Sequence, residues 1–415
     1  MNKSIKIITG GTFYHVRPHL SLAAPAFGST GNDLHVLCDR LIPEMDTHVV
    51  YTRMADPFSK VETNQDVSEL LDEWIEDLSV KVIFMPVALC DFEGNLVGKF
   101  NEPPLLVSGK DQARLKTSEG TRMIHIKPAA KIISKIRKNR KDIFLVGFKT
   151  TAGATEQEMF LAGLNLCKES SCNLVLVNDL HTRMNMVITP EEAAYHVTNN
   201  RSEALKGLVE MTKLRSHLTF TRSTIVAGEA VPWNSDLVPD ALRQVVNYCI
   251  AKGAYKPFRG ATVGHFATKL SDTTFLTSKR KTNFNDLISN GLVKIETDGP
   301  DTVLAYGARP SVGGQSQRIV FKDHPDCDCI VHFHCPIKSG SQVPTVSQRE
   351  FECGSHECGN NTSKGLKQFG NLYAIYLDQH GPNIVFNKDI DPFEVIKFIS
   401  ENFDLEGKTG GYSVS

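Results

Sequence analysis

The sequence lacks the features that mark membrane, secreted and nucleic-acid-binding proteins. Among its 415 residues no apolar run approaches the ~20 residues that a membrane helix needs, and we expect no signal peptide because the N-terminus leads directly into a strand pattern. Lysine plus arginine (46) nearly equals aspartate plus glutamate (47), which gives a formal net charge of −1. With no excess of positive charge, the composition does not indicate a nucleic acid partner. We expect a cytoplasmic protein whose partners include neither a membrane nor a nucleic acid.

The ten cysteines do not form a repeated Cys-x-x-Cys pattern, which would indicate a structural zinc site. Among the close pairs are Cys327 with Cys329 and Cys353 with Cys358. Most of the others lie in apolar patterns that are typical of small core residues, and cytosolic thiols usually stay reduced. We therefore predict reduced thiols, most of them buried.

The length indicates two domains, because a single hydrophobic core rarely extends beyond about 250–300 residues. The sequence contains no internal repeat and no long Gly/Ser linker. Between residues 215 and 236 the segment Ala230-Val231-Pro232-Trp233-Asn234 interrupts the apolar periodicity. We predict one α/β domain over residues 1–217 and a second over residues 236–415.

Two histidines separated by one residue, His332 and His334, lie on a predicted apolar strand. Since alternate side chains of a strand share a face, both imidazoles should point the same way. Neutral imidazole is the commonest protein ligand of zinc-like ions, and His380, in the turn that ends a predicted strand over residues 372–377, is a candidate third ligand. Taken alone, a His-x-His pair is more often a satisfied pair in the core or at the surface.

The region from about residue 236 to the end carries further motifs in a defined order. A predicted helix over residues 239–252 is followed by Gly264-His265-Phe266-Ala267, Phe275-Leu276-Thr277-Ser278, a strand over residues 292–296, Asp298-Gly299, Pro310-Ser311 and the three histidines. In this order the region resembles the class II aldolase/adducin family. The resemblance implies an α/β/α domain, a homo-oligomer, and a divalent metal, expected to be zinc, held by His332, His334 and His380. It also implies phosphate or anion binding by Gly264, Thr277 and Ser311.

Class II aldolases make or break a carbon–carbon bond with a divalent metal that polarises substrate oxygens, while a nearby carboxylate moves the proton. In the family, the glutamate after Pro-Ser-Ser works as the acid/base or completes the metal shell. It aligns with Gly313, and glycine can do neither. The segment over residues 350–359 is dense in acid/base and ligating residue types, so we expect Glu352 or Glu357 to replace it. The alternative for each is an ordinary surface glutamate. Other members of the family epimerise, decarboxylate or dehydrate, and adducins have lost the chemistry.

The first half begins with a strand pattern that runs into Gly10-Gly11-Thr12, and Gly28 to Gly31 precede a helical pattern. Such turns let backbone amides approach a phosphate at the start of a helix, although a tight strand-to-helix turn alone gives the same pattern. Asp91 follows a predicted strand over residues 80–85, at the end where ligands bind in open α/β sheets. These observations favour a phosphate-containing ligand.

Together with Arg114-Leu115-Lys116, Val146-Gly147-Phe148 and Val177-Asn178-Asp179, these motifs resemble phosphopantothenoylcysteine synthetase over about residues 3–215. The resemblance implies a Rossmann-like three-layer nucleotide-binding domain that takes CTP, or another nucleotide, with magnesium. The residues implied to bind the nucleotide are Gly10, Gly11, Thr12, Gly28, Gly31, Asp91, Arg114, Lys116, Phe148 and Asn178.

In that family the nucleotide activates a carboxylate for attack by an amine. Here Ala24 aligns with an asparagine that handles the acyl-nucleotide, and the family's later lysine pair is represented at best by Lys168. Nucleotide binding is therefore better supported than the whole ligase reaction.

The sequence as a whole predicts a bifunctional metabolic enzyme. A nucleotide-binding, ligase-type domain would be fused to a metal-dependent lyase-type domain that acts on a phosphorylated or nucleotide-activated carbonyl compound. The first domain could instead only sense a nucleotide. The alternative from another class is a non-catalytic nucleotide- and metal-binding assembly or regulatory protein with decayed sites.

Overall fold

The computed structural model describes residues 3–96 and 108–414, with the backbone alone for residues 312–316. The chain forms two compact units. The first comprises Met1–Ala154, Ala162–Ile188 and His196–Ser216, and the second comprises Thr155–Leu161, Thr189–Tyr195 and His217–Ser415. The second unit thus includes two short segments from the first half of the sequence. The assignment of residues 1–217 and 236–415 to two functional domains stays a prediction.

Most strands of the first half form one mainly parallel sheet. In chain order they are β1 (Ser4–Gly11), β2 (Phe13–Arg17), β3 (Leu20–Ala23), β4 (Asp46–Tyr51), β5 (Val80–Phe84), β6 (Val87–Ala88), β7 (Phe92–Leu96), β8 (Ile124–Pro128), β9 (Phe144–Thr151), β10 (Leu174–Asp179), β11 (Asn185–Ile188) and β12 (Ala194–Thr198).

The main sheet has the strand order β12-β11-β10-β9-β5-β1-β4, with β6 beside β1. From β10 to β4 the neighbours are parallel, while β11 runs antiparallel to β10. From β1 the chain extends to β4 on one side and to β5, β9 and β10 on the other. This reversal creates a crevice at the carboxyl ends of β1 and β5, where ligands bind in open α/β sheets.

The buried residues show that both faces of this parallel sheet are covered. Ile5, Ile7 and Ile8 of β1 and the run Leu174 to Val177 of β10 have no exposed surface. Continuous apolar runs of this kind are typical of strands that are covered on both faces. The Rossmann-like fold class predicted for this half is confirmed.

Five helices accompany these strands in the described part of the chain. The helix α2 shows why they form where they do, since Thr63 and Asp66 make a capping box and Val67, Leu71 and Trp74 form one buried stripe. The helices are α1 (Ser29–Leu41), α2 (Asn64–Glu76), α3 (Ser134–Asn139), α4 (Glu156–Ser170) and α5 (Arg201–Arg215).

The second unit is built on a mostly antiparallel sheet. Its strands are β13 (Arg222–Val226), β14 (Pro257–Phe258), β15 (Ala261–Thr262), β16 (His265–Lys269), β17 (Thr274–Ser278), β18 (Leu292–Thr297), β19 (Thr302–Tyr306), β20 (Cys329–His332), β21 (Thr345–Val346), β22 (Lys367–Phe369), β23 (Leu372–Leu377) and β24 (Gly381–Phe386). The main sheet has the order β13-β19-β18-β17-β16-β20-β24-β23-β21, with β22 beside β23.

Helices cover both faces of this sheet. They are α6 (Asp240–Ala251), α7 (Leu287–Asn290), α8 (Val312–Asp323), α9 (His356–Gly365) and α10 (Pro392–Asn402). One apolar core joins α6 and α10 to one face, and another joins α8 to the opposite face. Neighbouring strand residues alternate between the two cores, as Phe266 with Ala267 and Val331 with Ile330 show. The α/β/α architecture predicted for this half is confirmed.

Among the residues that the structure describes, no helix is both long and apolar enough to cross a membrane. No disulfide joins any of the ten cysteines, all of which are described.

Candidate functional site

Three histidines meet at one end of the central strands of the second unit. His332 is the last residue of β20 and lies opposite Asn383 of the antiparallel β24. His334 follows two residues beyond the end of β20, so the strand is shorter than predicted. His380 occupies the turn between β23 and β24, where its amide donates to the carbonyl of Leu377 at 3.0 Å.

Gly381 allows this turn to approach the segment that carries His334. Its φ is +140°, and a Cβ there would lie 2.1 Å from the carbonyl oxygen of Phe333. Every other residue would collide with the backbone, so glycine is required for the close approach.

The imidazoles of the three histidines converge. The Nε2 atoms of His332 and His380 are 3.3 Å apart, and one ring nitrogen from each histidine fits within 4.8 Å of the other two. All three side chains are buried, with residue exposures of 1% for His332, 6% for His334 and 2% for His380. The structure therefore brings together all three predicted metal ligands.

Hydrogen bonds hold Nδ1 of two of these rings. Nδ1 of His332 donates to the carbonyl oxygen of Pro382 at 2.8 Å, and Nδ1 of His334 lies 3.0 Å from a carboxylate oxygen of Glu192. Because both acceptors require a proton on Nδ1, a neutral ring has its lone pair on Nε2. Nδ1 of His380 is buried and has no hydrogen-bond partner among the described residues.

Burial keeps two of these rings uncharged. The pKa of His332 and that of His380 lie well below the ordinary histidine value, first because burial disfavours the charged form and second because neighbouring histidines repel it. Uncharged imidazole is the form that binds a metal ion. The donor set therefore fits a divalent metal of the zinc type.

His265 is a fourth histidine beside this cluster. It lies opposite His332 in the sheet, and the two rings stack with centroids 4.7 Å apart. A contact with Gln317 holds its Nδ1. Burial and the nearby His334 lower the pKa of His265 to about 3, so this ring is also uncharged.

Sequence reasoning missed two charged groups at this site. The Glu192 carboxylate contacts His334, and Nζ of Lys408 lies 3.4 Å from the same carboxylate oxygen. Both side chains are buried, Glu192 at 1% exposure and Lys408 at 9%. Glu192 and His334 are 142 positions apart in the sequence, and no motif or spacing connects them.

A cavity of about 10 Å³, space for about one water-sized group, adjoins the histidines. Its lining includes His265, His332, His380, Cys353 and Cys358. The cavity therefore places two thiols on the side of the cluster next to His332 and His380.

The two glutamates predicted to be catalytic do not line this cavity. The carboxylate of Glu357, in the first turn of α9, accepts from the backbone amide of Thr219 at 3.0 and 3.2 Å. Glu352 is half-buried, and its carbonyl oxygen accepts from the amide of Ser355 at 3.1 Å. Their catalytic roles stay predictions.

The three predicted anion-binding residues have different surroundings. Gly264 lies against the carbonyl oxygen of His332, which an added Cβ would approach to 2.6 Å. The hydroxyl of Thr277 donates to the carbonyl of Phe266 at 3.3 Å. Ser311 is the N-cap residue of α8, and its amide donates to the carbonyl of Ser278 at 2.9 Å. Of the three, Gly264 is the one that contacts the strand of the histidines.

In the first unit, the glycine-rich turn after β1 is tightly packed. A Cβ on Gly10 would lie 2.1 Å from Oγ1 of Thr52, and one on Gly11 would lie 2.0 Å from the carbonyl of Ala24. The hydroxyl of Thr12 accepts from the amide of Cys90 at 2.8 Å. The turn therefore sits next to Asp91, an exposed residue, at the crevice of the parallel sheet.

Gly28 and Gly31 lie at the N-terminus of α1. Gly28 is the N-cap residue, with φ +85°, and no side chain caps the first turn. Gly31 packs against Thr9 of β1. Nη2 of Arg201 donates to Oγ1 of Thr30 at 3.3 Å, which places a guanidinium at this helix end.

The remaining predicted nucleotide-binding residues lie further along the sheet or on its loops. Phe148 is on β9, and Asn178 is on the adjacent β10, where its amide oxygen accepts from Oγ1 of Thr150 at 3.3 Å. Arg114 and Lys116 are exposed, in the segment before a 3-10 turn at Thr117–Glu119. The binding roles of all these residues stay predictions.

No protein-family model matches the chain. A curated relative, the coenzyme A biosynthesis bifunctional protein CoaBC of Thermococcus kodakarensis, is 24% identical over 121 residues, which are 29% of this chain. The match spans 27% of the length of that relative.

Two solved structures are similar to parts of the chain. The DNA/pantothenate metabolism flavoprotein from Streptococcus pneumoniae is 17% identical with a TM-score of 0.40, over 50% of this chain and 96% of that chain. L-fuculose 1-phosphate aldolase is 15% identical with a TM-score of 0.30, over 39% of this chain and 82% of that chain. Both resemblances stated from the sequence are thereby confirmed as similarities over part of the chain. Because these identities and TM-scores are low, the function proposed below rests on the geometry of the histidines.

Proposed function

We propose that the second unit binds a divalent metal ion through His332, His334 and His380, and that the protein is a metal-dependent enzyme of the lyase type. One observation carries the proposal. Two nitrogen atoms that are each about 2.0–2.1 Å from a tetrahedral ion lie about 3.3 Å apart. The Nε2 atoms of His332 and His380 have this separation, at 3.3 Å.

Three histidines without a fourth protein ligand are typical of catalytic zinc sites, because one position stays open for substrate or water. When bound there, a divalent metal polarises a carbonyl or hydroxyl oxygen of a substrate. The chain's own contribution is to orient the rings, through the carbonyl of Pro382 on His332 and the carboxylate of Glu192 on His334. Burial of the cluster supports this role, since it limits competing water.

We further propose that the first unit binds a nucleotide with magnesium at the carboxyl ends of β1 and β5. Support comes from the uncapped N-terminus of α1, whose amides can bind phosphate, and from Arg201 beside it. The substrate of the lyase would then be a phosphorylated or nucleotide-activated carbonyl compound. A ligase reaction in the first unit, homo-oligomerisation and a cytoplasmic location stay predictions from the sequence.

The test is metal analysis of the purified full-length chain beside a His332→Ala/His334→Ala variant, followed by assays of carbon–carbon cleavage with a panel of sugar phosphates. We expect metal near one ion per chain in the parent protein and little in the variant, with cleavage that stops on chelation. A His356→Ala variant is the matched control, because His356 is a histidine of the same unit that instead contacts Thr221. Equal metal content in parent and double variant would overturn the proposal.

A further inference from the structure

The segment Thr189–Tyr195 brings a carboxylate to the histidine cluster of the second unit, although it comes from the first half of the sequence. A short turn presents this carboxylate. In the turn, the amide of Thr189 donates to the carbonyl of Ala193 at 3.0 Å, and the amide of Glu192 donates to the carbonyl of Thr189 at 3.1 Å. Glu192 has φ +65°, a left-handed conformation that is uncommon for residues other than glycine. The backbone therefore holds an unfavoured conformation where the side chain meets His334.

Burial of a carboxylate is unfavourable unless charge and hydrogen bonds compensate it. At Glu192 the compensation includes Nζ of Lys408 at 3.4 Å and Nδ1 of His334 at 3.0 Å. Since Nζ of Lys408 lies beside the same carboxylate oxygen, Glu192 is held where Nδ1 of His334 can donate to it. The Nε2 lone pair of His334 then faces away from Glu192, where a metal ion can take it.

We propose that Glu192 is a positioning residue of the metal centre, which orients His334 and fixes the proton on its Nδ1. This inference rests on the proposed metal binding and deepens it. A ligating histidine usually donates its other N–H to a carboxylate or carbonyl, and loss of that partner typically weakens metal binding by about 10- to 100-fold. His332 has the carbonyl of Pro382 in this role, and Glu192 gives His334 the corresponding partner.

The preceding residue offers a matched control. Glu191 is equally buried, at 2% exposure, and its carboxylate accepts from the backbone amide of Cys353 at 2.6 Å. A Glu191→Gln variant changes a buried carboxyl group of the same turn and leaves the carboxylate of Glu192 in place. Comparison of the two positions separates an effect on the metal centre from an effect on the fold of the segment.

The experiment measures zinc affinity of the full-length chain, by competition with a chromophoric chelator, for Glu192→Gln, Glu192→Ala, Glu192→Asp and Glu191→Gln. We expect affinity to fall by about 10- to 100-fold in Glu192→Ala, with a smaller loss in Glu192→Gln, whose amide oxygen can still accept from Nδ1. Glu192→Asp should recover part of the loss, and Glu191→Gln should bind zinc as the parent does. Circular dichroism identifies any variant that fails to fold. If Glu192→Ala fails to fold, Glu192→Gln and Glu192→Asp test the inference.

The visible absorption spectrum of the Co²⁺-loaded protein gives a second readout. Substitution of a residue with only a structural role would leave this spectrum unchanged. We expect the d–d bands to shift in Glu192→Gln and to stay unchanged in Glu191→Gln. Parent-like zinc affinity and an unchanged cobalt spectrum in every Glu192 variant would overturn the inference. A different result, in which His332→Ala/His334→Ala binds zinc as the parent does, would instead overturn the proposed metal site.

Discussion

At the scale of single residues, the geometry of the site depends on contacts that tolerate almost no change in side-chain size. Gly381 lets the β23–β24 turn, with His380, approach the chain between β20 and His334. The carbonyl of Pro382 then reaches Nδ1 of His332 at 2.8 Å. One glycine therefore sets the positions of two of the three proposed metal ligands, His380 and His332.

We predict that Gly381→Ala destabilises the second unit and weakens zinc binding. The left-handed φ alone costs on the order of 1–3 kcal/mol, and the clash of Cβ with the carbonyl of Phe333 adds to this cost. The measurement is urea unfolding together with zinc titration. Gly340→Ala is the control, since Gly340 also has a positive φ, at +85°, but open space around its Cβ. Equal losses at the two positions would show that the close approach does not matter.

At the scale of secondary-structure elements, apolar periodicity predicts where a strand lies better than it predicts where the strand ends. Apolar periodicity placed β23 at residues 372–377, and the structure has it at Leu372–Leu377. The same reasoning extended β20 to His334, but this strand ends at His332. The reason is that the chain beyond His332 is held by the turn at Gly381, and periodicity carries no information about such a contact.

The helix α1 gives a prediction for the first unit. If nucleotide phosphates bind at its uncapped N-terminus, Arg201 is placed to contact them, because its guanidinium donates to the hydroxyl of Thr30 at this helix end. A charge-assisted hydrogen bond contributes on the order of 1.5–3 kcal/mol, so we expect Arg201→Ala to weaken CTP or ATP binding by about 10- to 100-fold.

Isothermal titration calorimetry with magnesium present measures this effect. Arg122→Ala is the control, because Arg122 is a half-exposed arginine of the same unit that pairs with Glu119. Unchanged nucleotide affinity in Arg201→Ala would contradict binding at the N-terminus of α1.

At the scale of the whole molecule, the fold class of both halves could be predicted because ordered motifs in each half resemble known families. The His-x-His spacing and the turn after residues 372–377 singled out the three histidines. The sequence did not predict Glu192 or Lys408. Their contact with each other and with His334 joins residues that are distant in the chain, and it depends on a buried turn that has no periodic pattern. The segment Thr189–Tyr195 also shows that a compact unit need not be continuous in sequence.

Metal binding should also change the stability of the whole chain. A ligand that binds only the folded state at a hundred times its Kd stabilises that state by about 2.7 kcal/mol. We therefore predict that EDTA lowers the thermal unfolding midpoint of the parent protein and that zinc restores it. In His332→Ala/His334→Ala neither addition should have an effect, and an equal response of both proteins to EDTA would contradict this account.

Zinc K-edge X-ray absorption of the zinc-loaded full-length protein tests the central claim most directly, because it reports the ligand atoms themselves. Coordination by His332, His334 and His380 predicts imidazole nitrogen scatterers at about 2.0–2.1 Å and the loss of one of them in His380→Ala. Cys353 and Cys358 line the adjacent cavity and would give sulfur at about 2.3 Å if they held the ion. A sulfur shell, or a spectrum that His380→Ala leaves unchanged, would contradict the three-histidine centre.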